Sequence, residues 1–274
     1  MNYKAVYISC DEGVSETLSF LLQNIAYSGT SYEQNQLVAY CPVSLFDETK
    51  LLSLLSKHNI VPDKVVDVLD QNWNKLWEQN FKDADIGAHI HARAPFHPSK
   101  PVKHDIIILP KMAFGTGHHE TTQLAAIALE KLDCVDKTVL DMGCGSGLLA
   151  ILASQKKAKQ VVAIDHDIHC TNNTAENVKL NNARNVTILQ SDSLRHIDEH
   201  FDIIVSNMVK NSNLKLLPQF AQKLAKNGIL ILSGFIAEDI DILEHKATSY
   251  GFELQDKNIQ NSWLQTQFIN RYVD

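Results

Sequence analysis

No CxxC pair occurs in this chain, and its five cysteines (Cys10, Cys41, Cys134, Cys144 and Cys170) are scattered and odd in number. A disulfide framework is therefore not expected, nor a zinc site built on thiolates, and a reducing cytoplasm is the default compartment. No apolar run is long enough to span a bilayer, and the polar start Met1-Asn2-Tyr3-Lys4 does not resemble a signal peptide, so no membrane partner is expected. Internal repeats and low-complexity tracts are also missing. Arginine is absent from residues 1–85, which hold six lysines against twelve acidic residues and so carry −6 of the net charge of −7. Such a module does not grip a phosphate backbone, which argues against direct nucleic-acid binding. It would attract a basic protein, although the same charges also serve solubility alone. What remains is the composition of a globular protein: 45% apolar and 21% charged over 274 residues, enough for one large or two ordinary domains.

The first 70 residues alternate short apolar runs with helical spacing. Strands are expected at 3–9, 36–42 and 64–69, and helices at 11–27 and 47–58, with Gly29-Thr30-Ser31 breaking the chain between them. This order suggests a small α+β domain over 1–70, ferredoxin-like with one strand unplaced. A linker over 71–104 follows. It begins with a helix at 72–81 that puts Trp73, Leu76, Trp77 and Phe81 on one packing face, and it ends near Pro95 and Pro98, which stop regular structure.

Residues 105–274 show a βα alternation. Val- and Ile-rich runs recur at 106–109, 139–142, 161–164, 186–189, 203–205 and 229–232, with helices expected at 122–132, 148–156, 168–181, 214–225 and 239–250. Two last runs, 252–256 and 263–270, have no helix between them. The expected fold is α/β and Rossmann-like: a seven-stranded, mostly parallel sheet with an antiparallel edge hairpin.

The strand at 138–142 runs into Gly143-Cys144-Gly145-Ser146-Gly147 and then a helix. Glycines at such a turn let backbone approach a ligand with no Cβ in the way, which marks Gly143 and Gly145. A dinucleotide turn of the GxGxxG type would need glycine at Leu148, so the spacing is GxGxG. Asp141 beside the turn suits a cationic ligand better than a diphosphate. Asp165, at the tip of the next strand, sits where a ribose presents two hydroxyls to a carboxylate. Ser191-Asp192-Ser193 either reaches an adenine edge or is an ordinary polar loop. Thr121 and Thr122 open a helix, and either could be its N-cap or a ligand contact. His118-His119 and His89-x-His91 lack a carboxylate or cysteine at ligand spacing, so hydrogen-bonding histidines and no metal are expected. Cys144 is expected to pack rather than react.

Ahead of the glycine turn, Met112-Ala113-Phe114-Gly115-Thr116-Gly117-His118-His119-Glu120-Thr121-Thr122 resembles the signature loop of the PrmA family of ribosomal protein methyltransferases. Asn72-Trp73-Asn74 with Trp77, the acidic N-terminal module and the glycine turn extend the resemblance over almost the whole chain. The resemblance implies that Thr122, Gly143, Asp165 and Asn207 contact S-adenosyl-L-methionine, and Gly145 lies in the same turn. It also implies that the N-terminal domain recognises large-subunit ribosomal protein eleven, the stalk-base protein, and that the linker presents several amines to one centre. Two stretches depart from the family pattern. Leu109-Pro110 stands where many members have an acid and proline, and the run after Asn207 has no proline before Pro218.

The reaction implied is in-line methyl transfer to a protein amine, in which the enzyme mainly aligns nitrogen, carbon and sulfur. The amine must first lose a proton, easily for an α-amine of pKa near ~8 and less so for lysine near ~10.4. The carbonyl of Asn207 is placed to aim that amine. Nothing suggests an obligate assembly, so a monomer is expected. Other readings of the same core are a methyltransferase for a small molecule or nucleic acid base, and a non-catalytic adenosyl-binding adaptor.

Overall fold

A computed structural model describes residues 3–23, 25–27, 29–33, 35–68, 82–109, 111 and 114–271, and divides the chain into units Met1–Asn80 and Phe81–Asp274. The helix expected at 72–81 lies outside the described residues. No described helix is long and apolar enough to cross a membrane.

The first unit runs β1 (Tyr3–Ser9), α1 (Glu12–Gln23), β2 (Gly29–Glu33), β3 (Gln36–Pro42), α2 (Glu48–Ser56) and β4 (Lys64–Val68). Its sheet is antiparallel throughout, in the order β2-β3-β1-β4, the ferredoxin-like arrangement. The unplaced strand is β2, which starts at the glycine expected to break the chain. Thr30 and Tyr32 favour strand, and Asn35 at φ 62° makes the turn into β3. Period-two burial of Val6, Ile8, Leu37, Ala39 and Cys41 meets Leu18 and Leu22 of α1 and Leu51 and Leu55 of α2. Asp47 caps α2, accepting from the Lys50 amide at 3.0 Å.

The second unit opens earlier than the expected linker allows. β5 (Ala84–Ile86) and β6 (Ile90–Arg93) form a hairpin, and β6 pairs in parallel with β7 (His104–Ile107). Ile86, Ile90, Ala92 and Ile106 enter the core shared with the large sheet, and Arg93 grips Asp105 at 2.8–2.9 Å. Residues 84–104 are thus part of this unit, and the run expected at 106–109 joins this small sheet rather than the main one. Buried histidines and short strands hid the pattern.

After α3 (Glu120–Lys131) come β8 (Thr138–Met142), α4 (Leu148–Gln155), β9 (Gln160–Asp165), α5 (Ile168–Leu180), β10 (Val186–Gln190), β11 (Phe201–Asn207) and α6 (Lys210–Lys223). The chain ends through β12 (Leu224–Ile236), α7 (Ile240–Thr248), β13 (Phe252–Gln260) and β14 (Trp263–Asn270). The seven strands lie in the order β10-β9-β8-β11-β12-β14-β13, parallel except for the edge hairpin β13–β14. Along β8, Val139 faces one helical layer while Leu140 and Met142 face the other, so both faces are covered. Strand order reverses between β8 and β11, and the crevice beyond their C-terminal ends is where such sheets bind ligands.

Candidate active site

The glycine turn leaves β8 with Gly145 at φ 54°, and a Cβ there would collide with the Phe114 carbonyl oxygen. That contact needs glycine, because the opposing atom is backbone. The loop ending at Thr122 rests directly on the turn. The Ser146 amide donates to the Phe114 carbonyl at 2.9 Å, and the Ser146 hydroxyl to the Gly115 carbonyl at 2.7 Å. On the other side, a Cβ at Gly143 would meet the Met208 side chain at 2.5 Å. The turn is pinned between two loops that converge on it.

Asp165 ends β9 almost fully buried. It accepts from the Gly145 amide at 3.0 Å and the Asp167 amide at 3.0 Å, which leaves further lone pairs of the carboxylate in the cleft. Asp141 is buried beneath the turn. Its Oδ2 accepts from the Ala150 amide at 3.0 Å, and its Oδ1 has no hydrogen-bond partner among the described residues. Burial pushes this carboxyl up to about 7, with a smaller push from the Asp165 charge.

Neither threonine caps α3. The cap is His119, whose Nδ1 accepts from the Thr121 amide at 3.3 Å, a role outside the usual Ser, Thr, Asp and Asn set. Thr122 is left free of capping and accepts from Asn207 Nδ2 at 3.1 Å. Asn207 ends β11, and its Oδ1 is buried with no hydrogen-bond partner among the described residues. His119 also links two rings, with Phe114 at 5.2 Å and Trp263 at 4.8 Å between centroids. Phe114 keeps 56% of its surface exposed. The expected residues Thr122, Gly143, Gly145, Asp165 and Asn207 all line one cleft of about 460 Å³.

Trp263, Met208 and Gly234 line the same cleft and gave no signal in the sequence, where Trp263 and Gly234 are single strand residues and Met208 lies in the loop after β11. Ser191 and Asp192 line an adjoining pocket of about 220 Å³ with Gly143 and Asp165, although the Ser191 hydroxyl also donates to the Ser193 carbonyl at 2.8 Å. Cys144 is buried with Sγ 3.3 Å from the Thr174 hydroxyl, and burial raises its thiol so that it stays protonated.

His119 and His166 line the cleft, with His166 Nδ1 3.3 Å from Asp165, whereas His118 and His91 do not. His118 bonds the Lys82 carbonyl at 2.8 Å. His91 does have carboxylate partners, because strand pairing sets Asp85 opposite it: Nδ1 bonds Asp85 at 2.8 Å, and Nε2 lies 3.5 Å from Asp83. The Lys100 ammonium already bridges both acids at 2.8–2.9 Å and holds their carboxyls below the usual range.

The description "Ribosomal protein L11 methyltransferase (PrmA)" belongs to the family whose model matches residues 2–271. The ribosomal protein L11 methyltransferase of Phocaeicola vulgatus is 36% identical over 268 residues, 95% of each chain. Its counterpart in Porphyromonas gingivalis is 39% identical over 273 residues, covering 94% of this chain and 91% of that one. A crystal structure of ribosomal protein L11 methylase from Lactobacillus delbrueckii subsp. bulgaricus superposes with a TM-score of 0.65 at 28% identity, over 70% of this chain and all of that one. The precorrin-6y C5,15-methyltransferase of Geobacter metallireducens, at 14% identity and a TM-score of 0.50, shares the fold alone.

Proposed function

The chain belongs to the ribosomal protein L11 methyltransferase family, and on that premise we propose that it methylates amine nitrogens of ribosomal protein L11, on lysine side chains, the N-terminal α-amine or both. It is an S-adenosyl-L-methionine-dependent protein methyltransferase with a class I fold. The observation that carries the site reading is the meeting of Asn207, Thr122, Asp165 and the glycine turn on one cleft, with Asn207 Oδ1 buried and without a hydrogen-bond partner among the described residues.

The residues present fit that cofactor. Gly143 and Gly145 bring bare backbone to the cleft, Asp165 offers acceptors for ribose hydroxyls, and the carboxyls of Asp141 and Asp165 favour a cationic ligand. When bound, the sulfonium supplies an activated methyl group. The chain's own residues then have to exclude water and align the incoming nitrogen. Asn207 Oδ1 accepts a hydrogen bond from the neutral amine and so directs its lone pair, while the Asn207 amide is held by Thr122. No side chain is assigned as general base. The α-amine deprotonates in water near neutral pH, and lysine does so more readily as the apolar cleft desolvates it.

The acidic module of residues 1–70 is the substrate-recognition domain in this reading. The module's charge favours a basic ribosomal protein of the stalk base and disfavours direct contact with nucleic acid. A cytoplasmic monomer is the simplest form of the enzyme, in keeping with five free cysteines. Incubation with radiolabelled cofactor and stripped ribosomal proteins tests this function. Label in the L11 band is expected, whereas label only in RNA or a small molecule would replace the acceptor, and cofactor binding without transfer would indicate an adaptor.

A further inference from the structure

Asn213 lies in the first turn of α6, fully buried, and its side-chain bonds all reach residues next to Asn207 in sequence or in strand register. Its Nδ2 donates to the Met208 carbonyl at 2.8 Å and to the Ser233 carbonyl at 3.0 Å, and its Oδ1 accepts from the Ser206 hydroxyl at 2.7 Å. These partners surround Asn207. Ser206 precedes it, Met208 follows it, and Ser233 is its register partner across β11 and β12. Gly234, at φ 96°, closes on the same carbonyl: a Cβ there would collide with the Met208 oxygen. The Met208 carbonyl, one residue beyond Asn207, is therefore held by a buried amide and crowded by a bare glycine. No proline stiffens the run from Met208 to Leu217, so restraint has to come from such contacts.

We infer that Asn213 is a positioning residue for methyl transfer: by fixing the Met208 carbonyl and both neighbours of Asn207, it holds Asn207 and its Oδ1, unpartnered among the described residues, in place at the cleft. This rests on the reading of Asn207 as the group that aligns the amine. Ser206 orients the Asn213 amide, since its hydroxyl takes the oxygen and turns the nitrogen toward Met208 and Ser233. A small drift of Asn207 would leave the cleft intact and still misdirect the lone pair.

Single-turnover methyl transfer to L11 at saturating cofactor, measured for Asn213→Ser, Asn207→Ala and the double variant, tests the inference. Asn213→Ser is expected to slow transfer about tenfold, and the double variant should be no slower than Asn207→Ala. An unchanged rate in Asn213→Ser overturns the inference, and so do losses that multiply in the double variant, since those mark general structural damage. If Asn207→Ala keeps the full rate, the alignment reading fails first and this inference falls with it. Should Asn213→Ser not fold, Ser206→Ala removes only the bond that orients the amide. It should slow transfer about threefold and have no further effect in the Asn207→Ala background, and any other result overturns the inference.

Discussion

The Gly145 amide donates to the Asp165 carboxylate at 3.0 Å, so the turn after β8 and the acid at the end of β9 are set by one bond. Replacing Asp165 with alanine removes that bond, the bond from Asp167 and the acceptors offered to a ribose. Hydrogen bonds to a charged group contribute about 1.5–3 kcal/mol each. Calorimetric titration with S-adenosylhomocysteine should show Kd weakened by about ten- to a hundredfold, and unchanged affinity would remove Asp165 from the cofactor site.

Gly145→Ala should disturb the same site from the other side. Its φ of 54° disfavours an L side chain, and the new Cβ would collide with the Phe114 carbonyl. A cost of about 1–3 kcal/mol is expected, read as a lower melting temperature together with weaker cofactor binding. A variant that melts and binds like the parent would show that the Phe114 loop does not depend on the turn.

Asp141 makes the ligand-free protein sensitive to pH. Its folded carboxyl titrates at about 7, above the ordinary value of 3.8 that applies when unfolded. Between those values the unfolded chain releases a proton that the folded chain keeps, so stability falls as pH rises from about 4 to about 7 and levels off above. At about 1.4 kcal/mol per pH unit the fall is at most about 4 kcal/mol. Denaturant melts across this range should show the slope in the parent and a flatter one in Asp141→Asn, which keeps an acceptor for the Ala150 amide. Equal slopes would mean that Asp141 ionises normally.

Asn207→Ala leaves the Thr122 hydroxyl without its donor and takes away the Oδ1 of a cleft residue that is unpartnered among the described residues. Single-turnover transfer at saturating cofactor should drop about tenfold or more, and a normal rate would reject the alignment role.

Much of the site was legible because it is local in sequence. β8, the glycine turn and α4 follow one another, and the pattern repeats to bring Asp165 to a matching strand tip. Thr122 and Asn207 stand 85 residues apart. Only the family resemblance joined them beforehand, and the strand order β8-β11 supplies the physical reason that they meet. His119 was hidden as a cap because histidine seldom serves there, and freeing Thr122 depended on it. Trp263 reaches the cleft only because β14 inserts between β12 and β13, a pairing that no local pattern announces. The hairpin at 84–93 escaped notice because its strands are short and carry Asp85, His91 and Arg93, whose partners come from strand register rather than spacing.

The proposed function turns on whether this cleft carries methyl groups to ribosomal protein L11. The most direct measurement is the intact mass of purified L11 before and after incubation with the enzyme and S-adenosyl-L-methionine. Added mass in steps of one methyl group is expected, located on amines and reduced with Asp165→Ala at subsaturating cofactor. Unmodified L11 beside an enzyme that binds the cofactor normally would contradict that function.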